Sequence, residues 1–135
     1  MSKAMFISRY KTMIGIFVNS DGPVKYAREI VNKRKPIETR TRNTLKRLIG
    51  QTVQIIETGK GKRPMIIGQA KISKAVFVAA ADFDKYRELT LIPAGGPFDC
   101  KGKGKWFYYL ENAKPCKPYA MPENAIRHGF TWVEF

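Results

Sequence analysis

The chain has 135 residues, 44% of them apolar, and carries 25 Lys and Arg against 11 Asp and Glu, a formal net charge of +14. This length suits a single domain over residues 1–135 with its own buried core, and the composition excludes an intrinsically disordered chain. No apolar run reaches the roughly 18 residues that a membrane-spanning helix needs, and two cysteines with one histidine leave too few ligands for a zinc site.

Met13 to Val18 is a short apolar run and predicts a buried strand. Ser20-Asp21-Gly22-Pro23 follows as turn and helix-start chemistry, with Pro23 suited to a first helical turn. Val24, Ala27, Ile30 and Val31 recur at helical spacing and bury one face, leaving Lys25, Arg28 and Glu29 in water. Pro36 to Arg40 reads as a strand, and Asn43 is placed to cap a helical turn with Leu45, Leu48 and Ile49 on its apolar side and Gly50 as its stop. Thr52 to Glu57 and Pro64 to Ser73 read as paired strands around the tip Gly59-Lys60-Gly61-Lys62, with Ile66, Gly68, Ala70 and Ile72 alternating onto one face. Ala75 to Ala79 extends the sheet, and Asp82 is placed to cap a short helix through Tyr86 and Leu89.

Lys101-Gly102-Lys103-Gly104-Lys105 is a flexible basic lead into an aromatic strand, Trp106 to Leu110. Pro115, Pro118 and Pro122 keep the next stretch extended or turned, and Phe130 to Phe135 forms a final strand. Five to seven short strands with two or three short helices predict a mostly β, α+β domain: a small barrel with helices on its rim.

Lys25 to Ile72 holds thirteen basic residues against three acidic ones. Mixed signs would serve solubility alone; a one-sided run points to a polyanionic partner, because each neutralised phosphate releases counterions. No strongly amphipathic basic helix argues for a membrane surface. Met1 to Lys11 lacks the long apolar stretch of a secretory signal, so a cytoplasmic location is expected. Cys100 and Cys116 form no CxxC pair and read as reduced thiols, and no metal or cofactor is expected.

Tyr26 to Arg40, YAREIVNKRKPIETR, resembles the signature of the ASCH family, in which a helix runs into a GxKxxExR motif. Lys35, Glu38 and Arg40 hold the K, E and R positions, while Lys33 stands where the family has glycine; neighbouring Asn32 is the residue able to take the left-handed turn instead. The paired strands ending in IIGQAKI and the late TWVEF strand extend the resemblance over residues about 12–135. It implies a PUA-like barrel that handles RNA or nucleotides.

On an extended segment Glu38 and Arg40 share a face, so they either pair at the surface or line one cleft beside Lys35. A carboxylate-held guanidinium presents its remaining donors to a phosphate or a base edge. Arg42, Asn43, Lys46 and Arg47 follow as candidates for phosphate contact, with the Lys60–Arg63 tip completing a basic rim. Trp106 and Tyr108 share one strand face and Phe107 and Tyr109 the other; Trp106, Tyr108 or Tyr109 is a candidate stacking platform, and Trp132 is assigned to the core.

The leading expectation is a binding module for RNA or a nucleotide. The alternative is a hydrolase in the same cleft. The resemblance implies two such activities, an amidohydrolase acting on acetylated cytidine and a ribonuclease. For the first, Lys35 matches the family's lysine, Glu38 stands where those enzymes have threonine, and Asp82, Asp84 and Glu88 are candidate downstream carboxylates. Arg34 and Arg40 would lower the lysine's pKa. For the second, Glu38 is a candidate base, Lys35 and Arg40 the cations, and His128 a lone candidate acid.

Overall fold

The computed structural model describes residues 12–135. The reading of residues 1–11 as lacking a signal lies outside the described residues. Among the described residues seven strands form one mixed sheet: β1 Ile14–Asn19, β2 Ile37–Arg40, β3 Thr52–Thr58, β4 Met65–Val78, β5 Lys105–Ala120, β6 Ile126–His128 and β7 Trp132–Glu134. Helix α1 (Tyr26–Val31) joins β1 to β2, and α2 (Arg87–Thr90) follows a 3₁₀ segment over Ala80–Tyr86. A second 3₁₀ turn covers Lys46–Leu48. No helix of the described residues is long and apolar enough to cross a membrane.

The strand order is β2-β5-β4-β3-β1-β7-β6. The domain is mostly β, as the strand pattern predicts, but among the described residues the barrel is not closed: β2 and β6 are the edges of the sheet. β1 and β2 stand four places apart in that order, yet the Arg40 guanidinium on β2 donates to the Phe17 carbonyl on β1 at 2.7 Å. The sheet therefore rolls until β2 faces β1, and a side chain bridges the seam where a backbone ladder would have closed it.

Helix α1 buries Tyr26, Ala27, Ile30 and Val31. It packs against Gly68 of β4, where an added Cβ would stand 2.6 Å from Val31 Cγ1 and 2.4 Å from the Lys114 carbonyl oxygen. Pro23 precedes this helix rather than opening it. Two expected caps are absent. Asn43 accepts a 2.6 Å hydrogen bond from the Tyr108 hydroxyl instead of capping the turn at Lys46. Asp82 lies inside the 3₁₀ segment and pairs with Lys85 at 2.9 Å.

The alternation expected for Ile66, Gly68, Ala70 and Ile72 fails at Ile67. Ile55 pairs with Gly68 and Ile56 with Ile66, so Ile67 is an extra residue on β4. This bulge turns Ile66 away from Ala70 and Ile72, because a one-residue slip exchanges sheet faces. Ile66 packs with Phe17, Ile56 and Val133, whereas Ile67, Ala70 and Ile72 join the main core.

β5 is longer than the aromatic run. Its first half is central, since β2 pairs only with Trp106–Tyr109. Beyond Leu110 no described strand pairs with its outer side, and Pro115 and Pro118 occur there, where a missing N–H is tolerated. Trp132, assigned to the core from sequence, is partly buried and stacks on His128 at 3.7 Å and 6°.

Candidate functional site

The segment that delivers Lys35 is set by the end of α1. The Lys33 N–H donates to the Ile30 carbonyl and the Arg34 N–H to the Glu29 carbonyl. This paired pattern is the Schellman turn, whose residue after the cap takes a left-handed conformation and is usually glycine. Here that residue is Lys33, with φ +65°, while Asn32 stays at φ −90°. The expectation that Asn32 takes the strained position is corrected: the turn keeps its geometry with lysine in the glycine place. Four residues after Lys33, at Ile37, the chain enters β2.

Lys35, Glu38 and Arg40 converge on one cavity of about 350 Å³ at the β1–β2 seam. Lys35 is 1% exposed and Glu38 7%. Arg40 donates to Glu38 Oε2 at 3.0 Å. Lys35 Nζ lies 3.7 Å from Glu38 Oε1, an ion pair too long for a hydrogen bond. Its hydrogen bond goes instead to the Thr90 carbonyl at 2.5 Å, and the Tyr26 ring lies beneath it at 5.0 Å. Burial lowers the Lys35 pKa from 10.5 to about 8; Glu38 opposes this, while Arg40 and Lys105 add to it. Arg34, expected to help, is exposed and bound to Glu29 at 2.7 Å.

Sequence reasoning missed a fourth charged residue. Lys105, read as part of a flexible segment, is 9% exposed and lines the cavity. It donates to the Phe98 carbonyl at 2.7 Å, and burial lowers its pKa against the pull of Glu38. Asp99 holds the same loop in place. Its carboxylate accepts from the Gly95 and Cys100 N–H groups and pairs with Arg87, contacts that keep its pKa well below the carboxylate range. Tyr26, Thr39, Thr41, Phe98 and Phe130 also line the cavity. Only the basic character of residues 101–105 hinted at Lys105; no local signal marked the Thr90 and Phe17 carbonyls.

The aromatic strand does not supply the cavity wall. Tyr108 is fully buried, and its hydroxyl is taken by Asn43 and by the Leu45 N–H. Trp106 packs edge-on against Phe77, and Tyr109 lies beneath the Lys74 ammonium. Phe107 is buried beneath Phe83 and Tyr86, so both faces of this strand are packed. Arg42, Lys46 and Arg47 are exposed beyond β2, and Lys60, Lys62 and Arg63 are exposed beyond the cavity-lining Thr58. Asp82, Asp84 and Glu88 are exposed and outside the cavity. His128 faces Glu134 at 2.8 Å and is also outside it. Among the described residues no group of three or more His, Cys, Asp or Glu could hold a metal.

No protein-family model and no curated protein matches the chain. Solved structures do. The ASCH protein of Zymomonas mobilis is 20% identical, with a TM-score of 0.62 over 79% of this chain and 73% of that one. Two single-residue variants of it are each 17% identical, with TM-scores of 0.59 and 0.58 over 78% and 79% of this chain and 73% and 76% of theirs. The fold of this chain is therefore that of the ASCH domain, a mostly β architecture carrying its cluster of buried charge where the sheet fails to close.

Proposed function

We propose that the protein binds RNA or a nucleotide by taking one nucleotide unit into the seam cavity. The observation that carries this reading is the convergence of Lys35, Glu38, Arg40 and Lys105 on a single hollow of about 350 Å³. That volume lies in the range of small-ligand sites and far below what a duplex would need. Buried charges are costly unless a partner or ligand uses them. Arg40 is oriented by Glu38 and by the Phe17 carbonyl, and its guanidinium fork suits a phosphate or base edge. The exposed Arg42, Lys46 and Arg47 leave β2 directly and are available to a phosphate backbone.

The test is an RNA titration across salt concentrations. Binding that is tight at low salt, falls steeply as salt rises and is lost in Arg40→Ala supports the reading. Equal binding by wild type and Arg40→Ala overturns it.

A second reading, a hydrolase, is favoured by one observation: the Lys35 pKa of about 8. At pH 7 about a tenth of such an amine is neutral and can act as nucleophile or base. Against it, Glu38 is the only carboxylate lining the cavity among the described residues, and both its oxygens face cations. Release of acetate from acetylated cytidine, or shortening of RNA, by wild type but not by Lys35→Ala would favour the enzyme; unchanged substrate favours the binder.

A further inference from the structure

The turn between β6 and β7 carries a feature that neither packing nor charge accounts for. Phe130 is 92% exposed, and yet it lines the seam cavity, which puts its ring at the opening. A single exposed apolar side chain needs no explanation by itself; one standing at the mouth of a charged cavity does.

The turn is held firmly. The Thr131 carbonyl accepts from the Phe17 N–H of β1 at 3.1 Å, and the Thr131 hydroxyl donates to the His128 carbonyl at 3.0 Å. His128 is stacked on Trp132 and bound to Glu134. Gly129, at φ +61°, makes the reversal that projects Phe130. The ring is thus presented to solvent by a fixed backbone, so little ordering is lost when a ligand settles on it. The neighbouring Arg127 guanidinium lies 5.1 Å from the Phe17 ring, which helps fix the strand before the turn.

Resting on the nucleotide-binding reading above, we propose that this turn is a base-stacking arm: Phe130 stacks on an unpaired nucleobase whose polar edge enters the cavity toward Glu38 and Arg40. Aromatic faces hold bases of any identity, because every base has a π-face, whereas a base inside a duplex has its faces covered by stacked neighbours and its polar edge taken by its pair. The ligand is therefore an unpaired nucleotide, either free or within a single strand.

The experiment compares wild type, Phe130→Ala, Phe130→Trp and Arg40→Ala by fluorescence anisotropy. The probes are a labelled five-nucleotide single-stranded RNA, a duplex of matching sequence, and nucleoside monophosphates as competitors. Phe130→Ala is expected to weaken the single strand about tenfold with an unchanged circular dichroism spectrum, and Phe130→Trp to restore it. Weaker monophosphate competition in Phe130→Ala supports an arm acting on a free unit; weakening for the strand alone supports one acting on RNA. Wild-type affinity in Phe130→Ala alongside lost affinity in Arg40→Ala overturns the arm and leaves the cavity reading standing. Absence of any binding by wild type overturns both.

Discussion

Arg40 and Phe17 span the seam of the rolled sheet: the guanidinium of one donates to the backbone carbonyl of the other at 2.7 Å. One side chain thereby joins strands that share no ladder and also forms part of the cavity wall. Arg40→Ala is expected to destabilise the fold by about 2 kcal/mol, since it removes two charge-assisted hydrogen bonds and leaves the buried Glu38 with only Lys35 and the Thr39 N–H. Urea denaturation reads this directly. A variant as stable as wild type would mean that the seam holds without its latch.

Lys35 makes a pH-dependent contribution whose sign follows from burial. Its folded-state pKa of about 8 lies below the ordinary 10.5. Between these values the unfolded chain binds more protons, so this residue's contribution to stability rises with pH across that window. The shift corresponds to roughly 3 kcal/mol against the charged form, and the Thr90 carbonyl would lose a donor worth about 1 kcal/mol. Lys35→Met is therefore expected to be about 2 kcal/mol more stable at pH 7 while losing ligand. Its advantage should shrink toward pH 10. Thermal melts at pH 7 and pH 9.5 check this, and a destabilised Lys35→Met at pH 7 would contradict it.

Lys33 occupies the left-handed position that ends α1, at φ +65°. A side chain there costs about 1 kcal/mol relative to glycine. Lys33→Gly should raise the urea midpoint accordingly and leave the cavity intact. No gain in midpoint would show that the turn is unstrained.

The exposed Arg42, Lys46 and Arg47 should act as charge and not as geometry. Replacing all three with Gln is expected to reduce the salt dependence of RNA binding by about two to three counterions, with little change in stability. An unchanged slope of log affinity against log salt would remove them from the interface.

The motif triad was legible because extended backbone fixes side-chain direction: Glu38 and Arg40 had to share a face, and they do so inside the cavity. The glycine place at Lys33 was legible as a turn, although which residue takes the strain depends on hydrogen bonds closing the helix. The rest depended on contacts distant in sequence. Lys105 sits between a glycine-rich loop and an aromatic strand, and only the fold buries it beside Glu38. Tyr108 looked like a platform, but Asn43, 65 residues away, takes its hydroxyl. The β4 bulge at Ile67 leaves no mark in an unbroken apolar run.

The most direct test of the cavity is an amide chemical-shift titration of the whole chain with a short single-stranded RNA at low salt. Saturable shifts concentrated at Phe17–Asn19, Lys35–Thr41 and Lys105 are expected. Shifts confined to the exposed Lys60–Arg63 tip, with the β1–β2 seam unmoved, would contradict the cavity reading.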